Sequence, residues 1–89
     1  MRSFVTAQFR NALAKLPGEV QQQARQAYGT FRQDPSHASL RFKLIGGRGS
    51  VWSVRIGLHY RAIGVRDKDT IVWFWIGSHS DYDGLLNRR

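Results

Sequence analysis

The feature that most constrains this chain is a change of hydrophobic period at Asp34-Pro35. Before it, apolar residues recur at helical spacing; after it they alternate, and a proline at the junction ends the first pattern. Between Thr6 and Leu16, the residues Phe9, Ala12, Leu13 and Leu16 share one helical face, Thr6 can cap the start, and Pro17-Gly18 forces a break. From Glu19 to about Arg32, a second stripe runs through Val20, Ala24, Ala27, Tyr28 and Phe31, with glutamines and arginine opposite. The short break predicts an antiparallel helical hairpin, which needs a partner layer to hide its apolar face.

The second half supplies that layer. Leu40 to Ile45 alternates apolar and basic residues before the flexible Gly46-Gly47-Arg48-Gly49. Val51 to Ile56 alternates again, with Trp52, Val54 and Ile56 on the core side and Ser53 and Arg55 on the side expected to face solvent. Tyr60 to Val65 returns, Asp67-Lys68-Asp69 turns, and Thr70 to Ile76 is apolar on both faces, as a doubly covered strand should be. A short helix is expected from about Ser80, and Arg2 to Val5 is a candidate edge strand. The expected fold is a single α+β domain over residues 1–89: an N-terminal helical hairpin on a twisted antiparallel sheet of about four strands, closed by a short C-terminal helix.

Composition narrows the setting. With no cysteine among 89 residues, neither disulfides nor thiolate metal clusters are available, which suits a reducing cytoplasm. No segment reads as a signal peptide or a membrane span. The formal charge is +8, and from Pro35 to Arg66 there are six basic residues and no acid. That asymmetry points to a polyanion or an acidic partner, with a merely solvated basic face as the plain alternative. The three histidines lie too far apart in sequence for a compact ligand motif, so no metal and no other cofactor is expected.

The order and spacing of FRNALAKLP, a second helix ending in DP, HASLRFK, WSVRI, HYRAIGV and WIGSHSDYD resemble the RelE/ParE superfamily of toxins, in particular its RelE-like branch. The resemblance spans nearly the whole chain. It implies a small metal-free ribonuclease that cleaves mRNA on the ribosome, and a cognate antitoxin that wraps and neutralises it. The same fold also serves the ParE branch, whose members poison DNA gyrase. The His79 segment and the short hairpin favour the ribonuclease branch, and a binding-only protein of this fold is the alternative.

The residue chemistry agrees with the resemblance. Metal-free RNA cleavage needs a base for the 2′-hydroxyl, cations for the crowded phosphorane and an acid for the 5′ oxygen. By the resemblance, Arg61 occupies the position of a phosphate-clamping arginine and Arg55 another basic position of the family, either holding phosphate or stabilising the transition state. His79 falls where members carry an arginine or a histidine acting as general acid, and imidazole changes charge near neutral pH. Tyr82 reads equally as a base-stacking or leaving-group contact and as a core anchor. His59 is a candidate base, and Lys43, Arg41 and Arg48 are candidate RNA contacts; each also reads as a surface residue. Asp81 and Asp83 are expected to favour the positive end of the last helix.

Overall fold

The computed structural model describes residues 1–87. Strand β1 (Arg2–Val5) leads to helices α1 (Ala7–Ala14) and α2 (Gly18–Gln33), then strands β2 (Lys43–Gly46), β3 (Val51–Ile56), β4 (Tyr60–Asp67) and β5 (Thr70–Ser78), and helix α3 (His79–Asn87). The sheet order is β1-β5-β4-β3-β2. Strands β2 to β5 form the expected antiparallel meander, but β1 lies parallel to β5. The sheet is therefore mixed and five-stranded rather than antiparallel and four-stranded. The helices carry the chain from β1 across to the far edge of the sheet, so the meander can return β5 alongside β1 in the same direction.

Local chemistry sets the helix ends. Thr6 Oγ1 accepts from the Phe9 amide at 3.0 Å, satisfying one free donor of α1. Pro17 stands at the N-cap of α2. Each helix rides on a different strand, α1 on β5 and α2 on β3, and the two scarcely touch one another. The expected hairpin is thus splayed. Between its arms an apolar groove of about 630 Å³ is walled by Phe9, Leu13, Ala27 and Tyr28 and floored by Val54, Ile56, Ala62 and Trp73. The exposed residues Arg10, Arg25 and Arg32 stand along it.

The core lies between these helices and one face of the sheet, and it includes Phe9, Ala24, Phe31, Leu40, Val54, Ile56, Ala62, Ile71, Trp73 and Ile76. Phe31 meets Trp73 and Phe42 edge-on, at 5.5 and 5.1 Å between ring centroids. Gly64 is needed here, because a Cβ on it would come within 2.8 Å of the Trp73 ring. Strand β2 begins later than expected. Ala38 to Leu40 form a single helical turn, with the His37 Nδ1 accepting from the Ser39 amide at 3.2 Å, and Arg41 then takes a left-handed conformation (φ 46°) that breaks the alternation.

Helix α3 packs on the opposite face of the sheet. This corrects the expectation that Ser53 faces solvent: it is 1 % exposed, with its hydroxyl 3.0 Å from the Tyr82 hydroxyl. Alternation assigns Ser53 to the outer face correctly, but it cannot tell that a helix nine residues long will cover it.

Candidate functional site

The site grows from the register of β3 on β4. Arg55 and Arg61 are direct cross-strand partners and so project from the same face of the sheet. Opposed side chains in such a pair start only about 4.5–5.5 Å apart at Cβ, and like charges there destabilise the sheet. Neither guanidinium has a carboxylate within ion-pairing distance among the described residues. Arg55 Nε donates to the Gly57 carbonyl at 3.0 Å, and an Arg61 terminal nitrogen donates to the Tyr60 carbonyl at 2.9 Å. These bonds aim the two forks and leave most of their donors free. Arg61 is held below the ordinary guanidinium pKa, first by burial, then by Arg55 and to a lesser degree Arg41, against the opposing pull of Tyr82 and Asp83. The protein has gathered positive charge on a rigid surface without neutralising it.

Next to this pair, β5 runs directly into α3. Gly77 faces Arg61 across the strands, and the His79 amide donates to the His59 carbonyl at 2.6 Å. That bond ties the start of α3 to the β3–β4 turn, so Arg55, His59, Arg61 and His79 come together at one end of the sheet. Ser78 Oγ accepts from the Asp81 amide at 3.1 Å and caps the helix. His79 is half-exposed, and its Nδ1 lies 3.2 Å from Asp83 Oδ2, one helical turn on. With Nδ1 engaged, Nε2 is the nitrogen left to meet a ligand.

The remaining candidates separate. Tyr82 is 4 % exposed and its hydroxyl is spent on Ser53, an arrangement that serves the anchoring role of its two expected readings. Lys43 pairs with Ser53 in register and shares the face of the arginine pair. Arg41 lies near enough for its charge to act on Arg61. Arg48 is not brought in: it sits in the Gly47–Gly49 turn beyond Val51, about 13 Å of strand away from Arg55. Arg66, sixth of the basic residues in the acid-free stretch, lies over the Trp52 ring at 4.8 Å and belongs to the face that packs against α1 and α2. Asp83 joins the site although the sequence alone marks it only as a helix-dipole carboxylate; its spacing of four from His79 is the signal that places the two side chains on one helix face.

Solved structures share this architecture. The chain superposes on the toxin–antitoxin complex RelB–RelE from Methanococcus jannaschii with a TM-score of 0.71 and 22 % identity, covering 91 % of this chain and 96 % of the matched one. For the RelE–RelB complex from Pyrococcus horikoshii OT3 the values are 0.69 and 21 %, covering 86 % and 92 %. For the isolated RelE toxin of E. coli they are 0.65 and 12 %, with 94 % of each chain covered. No curated protein sequence gives a significant match. The fold is therefore that of the RelE-like toxins. Residues 18–84 match the ParE-like toxin domain, and the chain belongs to that family, within the RelE/ParE superfamily.

Proposed function

We propose that this chain is the toxin of a type II toxin–antitoxin system, a metal-free endoribonuclease that cleaves mRNA on the ribosome. The observation that carries the reading is the unneutralised Arg55–Arg61 pair set beside His79 at one end of the sheet. Two guanidinium forks facing each other across strands destabilise an empty sheet and suit a phosphate that both can grip.

The reaction then needs only side chains. Arg55 and Arg61 hold the non-bridging oxygens of the scissile phosphate and stabilise the charge that builds on them. His59 takes the proton of the adjacent 2′-hydroxyl, whose oxygen attacks phosphorus as the bond to the 5′ oxygen breaks. His79 Nε2 gives its proton to that leaving oxygen, and Asp83 on Nδ1 fixes the ring for the transfer. The products are a 2′,3′-cyclic phosphate and a 5′-hydroxyl, and the proton taken by His59 is later returned through water. Lys43 and Arg41 on the same side steady the neighbouring backbone, while Arg48 reaches RNA only further along.

The partner is a cognate antitoxin that both masks the basic face and fills the groove between α1 and α2. Apolar side chains suit its floor, and carboxylates suit Arg10, Arg25 and Arg32 along it. No helix among the described residues is long and apolar enough to cross a membrane. Action in the cytoplasm follows from the ribosomal target.

Primer extension on mRNA translated in an extract tests the reading. Cleavage by the wild type, lost with Arg61→Gln or His79→Gln, supports it. The match to the ParE-like domain keeps a second reading open, inhibition of DNA gyrase. Loss of supercoiling with intact mRNA would establish that one instead.

A further inference from the structure

We propose that Trp75 is the base-contacting residue of this site, stacking on the nucleobase next to the phosphate held by Arg55 and Arg61. The proposal rests on the reading of that pair as a phosphate clamp. The three tryptophans of the chain differ in how fully the fold occupies them.

Two of them are fully occupied. Trp52 stacks on Phe42 at 4.6 Å, carries Arg66 at 4.8 Å, and donates its indole N–H to the Gly49 carbonyl at 3.3 Å. Trp73 is 4 % exposed, meets Phe31 edge-on, and donates to Ser3 Oγ at 3.0 Å. Trp75 has none of these. Among the described residues no aromatic ring or guanidinium lies against it, and its N–H has no protein acceptor. That nitrogen is not among the buried unsatisfied atoms, so it reaches solvent, and the residue is only partly buried. A buried indole N–H normally finds a protein partner, whereas the donor on this partly buried ring is left to water, which a ligand can displace.

Position gives that contact its chemistry. Trp75 pairs with Ile63 and therefore projects from the same face as Arg61, while Gly77 faces Arg61 itself. The indole extends along the strand over Gly77: a Cβ there would come within 2.7 Å of Trp75 Cζ2 and Cη2. Gly77 has no positive φ to explain its presence, so the space it leaves for the ring is its structural role. The result is a flat apolar surface beside a paired cation. Single-stranded RNA is held in this way, with backbone on basic groups and bases on aromatic faces, and stacking accepts any base. The N–H adds a donor for a base acceptor, and so a means of preferring some bases over others.

The test uses the full chain, a single-stranded oligoribonucleotide whose 2′-O-methyl groups prevent cleavage, and the same oligonucleotide with one abasic position. Tryptophan fluorescence is followed during titration. The wild type should be quenched on binding. Trp75→Phe should bind nearly as well with most of the quench gone, Trp75→Ala should bind about tenfold more weakly, and the abasic probe should bind wild type and Trp75→Ala alike. Equal quenching in wild type and Trp75→Phe, or no loss of affinity with the abasic probe, would overturn the proposal even if Trp75→Ala fails to fold. Absence of RNA binding by the wild type would overturn it too. Trp75-dependent binding by a protein that leaves translated mRNA intact would uphold it while removing the ribonuclease reading.

Discussion

The Arg55–Arg61 pair should lower the stability of the free protein, and a double-mutant cycle isolates that effect. Replacing either arginine with glutamine removes the repulsion but also a backbone hydrogen bond, from Arg55 Nε to Gly57 or from Arg61 to Tyr60. The single variants alone therefore mix two terms of opposite sign. In the cycle the hydrogen-bond losses cancel, because the double variant carries both of them and the repulsion is relieved only once. Direct cross-strand pairs contribute roughly 0.2–1 kcal/mol, so the two single variants together should gain about 0.5 kcal/mol more than the double. For a domain of this size that is about 3 °C in Tm. The sign agrees with the direction found for Arg61. Its folded pKa is depressed, so its charge opposes folding wherever the unfolded guanidinium is protonated, which is the whole ordinary pH range. Relief by deprotonation comes only at pH beyond that range. Urea or thermal unfolding in about 20 mM salt measures the coupling, and it should shrink in about 1 M salt, where the Debye length falls to about 3 Å. A coupling of zero at low salt, or one showing attraction, would refute the argument that this pair is held for an anion at the fold's cost.

Other expectations concern single side chains. His79→Gln should reduce cleavage by about 10²–10⁴-fold with Tm unchanged, as expected for loss of a general acid. Asp83→Asn should slow cleavage at saturating substrate with little change in KM, and nitrogen NMR of the His79 ring should show its Nδ1 proton less firmly fixed. Tyr82→Phe should do the reverse: it leaves the buried Ser53 hydroxyl without its partner, costing about 1–3 kcal/mol in stability, while folded molecules cleave nearly as fast as wild type. Full stability with cleavage abolished would instead put Tyr82 in the chemistry.

Much of this fold was legible because it follows from period and punctuation. The stripe at Val20, Ala24 and Phe31, the Thr6 cap and the alternation of Val51 to Ile56 each report a local preference that the packed structure keeps. Parallel pairing of β1 with β5 was not legible, since it joins Ser3 to Ile71 across almost the whole chain. The splay of α1 from α2 was equally hidden, because both stripes are satisfied by the sheet rather than by each other. At the site, the family resemblance together with residue chemistry singled out Arg55, Arg61 and His79, but their assembly depends on register and on one backbone bond between His79 and His59. Ser53, Tyr82 and Asp83 took their roles from where α3 lies, and sequence alternation has no access to that.

The central claim is that the Arg55–Arg61 pair and His79 cleave RNA. Its most direct measurement is the end chemistry of mRNA recovered from a translating extract treated with the purified protein. The account predicts fragments with 2′,3′-cyclic phosphate and 5′-hydroxyl ends, absent with the Arg61→Gln/His79→Gln double variant. Intact mRNA under the wild type, or cleavage undiminished in the double variant, would contradict it.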